Sequence, residues 1–249
     1  MKHGKTVLLG PGLALLAWYL IAELRLVDAF FLPGPIATIS ELLELAVGGG
    51  IITDALLTLE RVFLAFVIAV LVGIPVGLFL GTSRRVYESL EMVIDFFRSI
   101  PATAIFPLFV VVFGIEDSSK IAVASFASAL IILFHTAHGV MHAKKSRTLA
   151  ARLMGATKLQ VFRFVSFWEC LPQIFVGLRT AVSLSLVIVV VTEMFIGTYA
   201  GLGRRLIDFQ YVYNIEGMYA IILLTGIIGY LINAVFILLE RRVVHWSGK

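Results

Sequence analysis

The amino-acid sequence predicts an all-α fold: a polytopic membrane protein of about six transmembrane helices joined by short polar segments. Three observations carry that prediction. Of 249 residues, 60% are hydrophobic and only 14% charged, against about 25% charged in a soluble domain. The apolar residues come in runs of the roughly 20 residues that a bilayer crossing needs, and in hydrocarbon a chain must satisfy its backbone internally, as a helix does. The Lys and Arg residues fall between the runs, mostly on alternate sides. One cysteine, Cys170, excludes an intramolecular disulfide and a cysteine-based metal site. The net charge of +4 is divided among short loops, which argues against a nucleic-acid partner.

The first predicted span is Val7–Val27. Lys2, His3 and Lys5 precede it in the manner of a signal peptide, but Glu23-Leu-Arg25 follows instead of a small-residue cleavage site, so it is read as uncleaved. Next comes Phe31-Leu-Pro-Gly-Pro35 and a short surface helix, Ile36–Val47. Pro35 suits a first helical position, and Ile36, Ile39, Leu43 and Ala46 form an apolar stripe. The remaining spans are Leu56–Gly81, Val93–Phe113, Ile121–Met141, Ile174–Thr198 and Met218–Leu239. Arg61 and Arg179, near the ends of theirs, are placed to reach an interface by snorkelling. Pro101 and Pro107 remove backbone donors and bend the third span, as a simple kink or as a broken helix lining a path.

Basic residues set the orientation. Lys2, Lys5, Arg84, Arg85, Arg98, Lys144, Lys145, Arg147, Arg152, Lys158, Arg163, Arg241, Arg242 and Lys249 lie on one side; Arg25, Lys120, Arg204 and Arg205 lie on the other. Fourteen against four makes the first side cytoplasmic, with both termini. No internal repeat or linker divides the chain, so residues 1–249 are read as one transmembrane domain, with a core over about 55–240 and a cytoplasmic loop over about 144–172.

That loop is the most distinctive segment. Leu149–Met154 favours helix, with small Ala150 and Ala151. Gly155 can end it in a left-handed conformation. Thr157-Lys-Leu-Gln160 is a capping box, so a second helix starts there, with Leu159, Phe162 and Val165 or Ser166 on one face. Pro172 is read as separating this unit from the next span. On the residues alone, the unit either lies on anionic lipid or is a docking ridge.

Elsewhere, Glu193 is an intramembrane carboxylate, either in a path or gate or paired inside with Arg61 or Arg179. Glu60 and Arg61 are read as helix-packing charges. His135, His138 and His142 have helical spacing but lack nearby carboxylates and adjoin Lys144 and Lys145, so they are read as interfacial rather than as metal ligands. Trp18, Trp168 and Trp246 fall near predicted interfaces. Gly201 and Gly203 allow a tight outer loop, and Ser183 and Ser185 suit helix packing. No nucleophile–base pair or metal cluster is visible, so no catalytic residue is assigned.

Ala150, Ala151, Gly155, Leu171 and Pro172 together resemble the cytoplasmic coupling signature of ABC importer permeases. Leu149 stands where that family usually has Glu. Further motifs fall in order: Phe31-Leu-Pro-Gly-Pro35, Arg98-Ser-Ile-Pro101 with Pro107, Phe113-Gly-Ile115, Gly177-Leu-Arg179, Thr192-Glu-Met194, Gly201-Leu-Gly203 and Glu240-Arg-Arg242. From Phe31 to Arg242 the chain is similar to the permease branch that imports nitrate, sulfonates, taurine and bicarbonate, and also aromatic carboxylates and pyrimidine vitamin precursors.

The resemblance implies a type I importer permease in a bacterial inner membrane. A second copy of the chain would complete the path, two ATPase subunits would sit beneath it, and an extracytoplasmic binding protein would deliver a small solute. It implies that Ala150, Ala151, Met154, Gly155, Ala156, Thr157, Leu159 and Pro172 couple to the ATPase; Pro101, Pro107 and Glu193 are the candidate residues of the path from the reading above. No cofactor is expected on this chain. It has no G-x-x-x-x-G-K-[ST] loop, and Gly73–Gly81 has no Lys; ATP and Mg are expected on the partner. The competing classes are an ion-coupled secondary transporter, which would carry inverted repeats, and a membrane enzyme, which would cluster catalytic groups at one depth.

Overall fold

The computed structural model describes residues 9–195 and 198–246. Lys2, Lys5 and Lys249 of the charge tally, and the start of the Val7–Val27 span, lie outside them. The described residues form helices joined by turns and loops, with no strand. In chain order the helices are α1 (Leu9–Glu23), α2 (Pro35–Gly48), α3 (Ile51–Gly81), α4 (Arg84–Ser99), α5 (Ala102–Phe113), α6 (Asp117–Met141), α7 (Lys145–Leu153), α8 (Lys158–Val161), α9 (Phe167–Glu193), α10 (Leu202–Tyr211) and α11 (Ile215–Val243).

Among the described residues four helices are long and apolar enough to cross a membrane, α3, α6, the run Lys158–Glu193 and α11, and the bent pair α4–α5 makes a fifth if it is one span. Helices α3, α6 and α11 run in one direction and the Lys158–Glu193 run in the other. One end of the bundle gathers Ile51, Asp117, Glu193 and Ile215, and is called here the Asp117 end; the other is the Met141 end. The described part of helix α1 has 15 residues.

The predicted third span is not one helix. Helices α4 and α5 meet at 91°. Pro101 stands between them, and Ile100 before it is extended at ψ 124°, as sterics before proline require. Composition separates the halves as well. Helix α4 carries Arg84, Arg85, Glu88, Glu91, Asp95 and Arg98 on an amphipathic frame, whereas α5 is almost wholly apolar. A helix as polar as α4 does not cross hydrocarbon alone.

Pro172 does not separate the loop from the next span either. Helix α8 passes through a π-helical turn, Phe162–Ser166, directly into α9, and Pro172 lies inside the continuous run Lys158–Glu193. A proline costs a helix the one bond its missing N–H would make, which a long packed helix tolerates.

The tightest packing joins α3 to α6. Gly73, Gly77 and Gly81 recur every fourth residue and face that partner. A Cβ at Gly77 would stand 2.7 Å from the Leu133 oxygen, and one at Gly73 would stand 2.8 Å from Ile132 Cβ. The glycines let the two backbones approach as no larger residue would. Ser128 of α6 and Ser185 of α9 join hydroxyls at 2.7 Å, the packing role expected of Ser185. Val62, Phe106, Val123, Val182, Leu186 and Val189 fill the main core.

Helix α2 forms with Pro35 in its first turn, and of the predicted stripe only Ala46 packs inward. Ile36, Ile39 and Leu43 are exposed, while Leu42, Leu45 and Ala46 pack toward Ile51, Leu202 and Ile221.

Candidate functional site

Three places gather the chemistry. The first is a cavity of about 590 Å³ at the α4–α5 break. Its walls come from Asp95 to Ala102, from Ile105, from Phe126, Ala127, Leu130 and Ile131 of α6, and from Leu184 of α9. Those α6 residues lie 9 to 14 positions from Asp117 in a helix of 25, or about 13–21 Å along an axis of about 37 Å. The cavity is therefore at mid-depth. Pro101 lines it; Pro107, farther along α5, is not among its walls. Arg98 belongs here rather than in a loop at the Met141 end, because the bend at Ile100–Pro101 turns the end of α4 inward against α6. Its guanidinium lies 3.9 Å from the Phe134 ring centroid, and Nη1 donates to Asp95 Oδ1 at 3.0 Å.

The second place is a buried charge cluster toward the Asp117 end. Glu193 is fully buried. Its carboxylate accepts from Arg61 Nη1 at 2.6 Å, from the Thr58 hydroxyl at 3.0 Å and from the Gly203 N–H at 3.0 Å. Arg61 also donates to the Ala200 carbonyl at 2.8 Å, and its Nε lies 2.9 Å from Asp117 Oδ1. Lys120, fully buried, pairs with the same carboxylate at 3.3 Å. Asp54 accepts from the Gly201 N–H at 3.0 Å and from Arg205 Nη2 at 2.6 Å. Three carboxylates thus meet three cations, the neutrality that buried charges require.

Of the two partners open to Glu193 in the sequence, the fold selects Arg61. Arg61 is buried rather than snorkelling, and Glu60 is exposed. The cluster pins the loop after α9. Gly201 has φ +141°, and a Cβ there would stand 2.6 Å from the Glu193 carboxyl carbon; one at Gly203 would stand 2.0 Å from the Val190 oxygen. Both glycines are steric requirements of this approach.

The third place is the unit formed by α7, α8 and the π turn. Gly155 takes φ +82° between the helices, and Thr157 and Gln160 form the predicted capping box in both directions. Ala151 and Val161 are buried beneath it. Leu153, Met154, Leu159 and Phe164 are exposed, the first three by 75% or more. Ala150 and Thr157 are exposed too, Ala156 and Pro172 half-buried, and Leu149 lies on the exposed side. Arg147 ion-pairs with Glu169, tying α7 to the start of α9.

Sequence reasoning missed Asp54, Thr58, Asp117 and Arg205 in the cluster, and Asp95 beside Arg98. Polar residues at matched depths on neighbouring spans were the available signal.

Residues 69–245 match the family described as the binding-protein-dependent transport system inner membrane component. The chain is 32% identical to a probable ABC transporter permease protein of Brucella abortus, covering 97% of this chain and 98% of the relative. It is 33% identical to the taurine transport system permease protein of Escherichia coli, covering 94% and 87%. It is 29% identical to a nitrate import permease protein of Synechocystis, covering 77% and 70%. In fold it is similar to the methionine ABC transporter MetNI in an inward-facing form, with a TM-score of 0.68 at 23% identity over 78% of this chain and 95% of that one.

Proposed function

This chain belongs to the family of binding-protein-dependent transport inner-membrane components, in the taurine, sulfonate and nitrate branch of ABC importer permeases, and from that premise we propose that it forms the path for a small solute in an ATP-driven importer. The solute is delivered by an extracytoplasmic binding protein. Two copies of the chain enclose the path, in contact with membrane lipid. ATP and Mg belong to a separate ATPase. The Met141 end, where most of the Lys and Arg residues gather, is cytoplasmic, and both termini are on that side. The path passes the mid-depth cavity at Pro101, while Glu193 holds the opposite end together from within.

The observation that carries this reading is the exposed apolar ridge Leu153–Met154–Leu159 on a unit that is continuous with a span. Exposed apolar surface on a polar, capped unit marks a docking site. Ala150, Ala151, Met154, Gly155, Ala156, Thr157 and Leu159 compose it or set its geometry. The run from Lys158 to Glu193 has 36 residues and is about 54 Å long. A push at the ridge therefore reaches the charge cluster through a single helix, which is coupling by a packed rigid element. Leu153→Asp tests this. Leu153 is 82% exposed, so the fold survives, while the ATPase no longer co-purifies and ATP-dependent uptake falls at least tenfold. Retention of the ATPase by that variant at the wild-type level refutes the reading.

A further inference from the structure

The mid-depth cavity holds one cation and one carboxylate in otherwise apolar walls. Asp95 and Arg98 are its only ionisable lining residues, and Ser99 is the remaining polar side chain. The Ser99 hydroxyl is occupied, donating to the Asp95 backbone carbonyl at 2.8 Å. Arg98 spends one donor on Asp95 at 3.0 Å and lays its guanidinium against Phe134. Among the described residues it makes no other hydrogen bond, so most of its five N–H donors are uncommitted. Asp95 likewise commits one oxygen.

We propose that this pair selects zwitterionic solutes: short aminoalkyl acids whose acid group meets Arg98 and whose ammonium meets Asp95. The inference rests on the permease reading and deepens it. A bare anion entering the cavity competes with Asp95 for Arg98 and is repelled by the carboxylate it displaces. A solute bearing an acid group and an ammonium a few bonds apart exchanges one ion pair for two. Specificity thus comes from a repulsive element as much as from an attractive one. Arg98 supplies the fork that matches a sulfonate or carboxylate in two bonds, and Phe134 fixes the plane of that fork.

The test uses the assembled importer in proteoliposomes, with taurine and ethanesulfonate as probes. Ethanesulfonate keeps the sulfonate of taurine and lacks its ammonium. Wild type and variants share one binding protein, so any change in the taurine-to-ethanesulfonate uptake ratio belongs to the permease. The expected result is a wild-type preference for taurine that Asp95→Asn reduces about tenfold, the size of one well-placed charge contact. Arg98→Gln slows both sulfonates, and Arg98→Lys restores part of each. Asp95 is half-exposed, so its amide variant assembles. An unchanged ratio in Asp95→Asn, with ATP-dependent uptake intact, overturns the inference and leaves the permease reading standing. Absence of ATPase retention and of any ATP-dependent uptake overturns the permease reading itself.

Discussion

Glu193→Ala is the most informative perturbation of the fold. The carboxylate takes hydrogen bonds from Thr58, Arg61 and the Gly203 N–H, all in a fully buried site. Removing it leaves Arg61 with Asp117 as its remaining counter-ion, at 2.9 Å and half-exposed, and strands the Gly203 donor. Breaking a buried pair from one side costs about 3–5 kcal/mol. For a chain of this size, each kcal/mol moves the melting temperature by about 2–4 °C, so the expected loss is on the order of 10 °C. Cys170 supplies the assay. It is free and fully buried, so a thiol-reactive fluorophore reports unfolding of the detergent-solubilised chain. Glu193→Gln keeps an acceptor for Thr58 and Gly203 and loses only the charge, so it melts between Ala and wild type. Arg61→Met with Glu193→Leu removes both charges and recovers most of the stability, because the stranded ion is gone. If Glu193→Ala melts within 1 °C of wild type, or the double variant is worse than either single one, the cluster is not what holds this end.

Two further substitutions separate packing from backbone strain, read by the same thiol assay. Gly77→Val places its Cβ 2.7 Å from both the Leu133 oxygen and Thr136 Cβ; α3 and α6 are forced apart at a cost of about 1–3 kcal/mol, and Gly77→Ala shows a smaller loss of the same kind. Gly155→Ala meets nothing within 4 Å, so its whole cost is the left-handed φ of +82°, about 1 kcal/mol. Gly155→Asn, which tolerates that region, loses about half as much. Equal losses for Asn and Ala would show that φ is not the cause.

Local chemistry was legible in the sequence wherever it acts over a few residues. The Thr157–Gln160 box, the turn at Gly155 and the proline start of α2 all depend on neighbours within one helical turn, and all three formed. What failed was composition read through a fixed window. A 20-residue window over Val93–Phe113 averages the polar end of α4 with apolar α5 and so draws one span, although Pro101 marks the break within it. Of the stripe Ile36, Ile39, Leu43 and Ala46, only Ala46 packs inward. Near lipid, an apolar face does not have to be the face turned to the protein, so hydrophobic periodicity alone does not tell packing from exposure.

Depth arithmetic would have recovered more. Glu193 ends α9 at the Asp117 end, and Arg61 lies ten residues into α3 from that end, about 15 Å along its axis. Arg179 stands 14 residues back along the helix of Glu193 itself, about 21 Å away, and its carboxylate neighbour is Glu240 at 4.0 Å. The count leaves Arg61 nearer to Glu193 than Arg179 is, and the fold closes that gap, with Arg61 Nη1 donating to Glu193 at 2.6 Å. The same count places Arg98 beside the middle of α6. Arg98 pairs with Asp95 on its own helix and lies against Phe134 of α6 at the mid-depth cavity, whereas the Glu193 carboxylate is committed to Arg61, Thr58 and the Gly203 N–H.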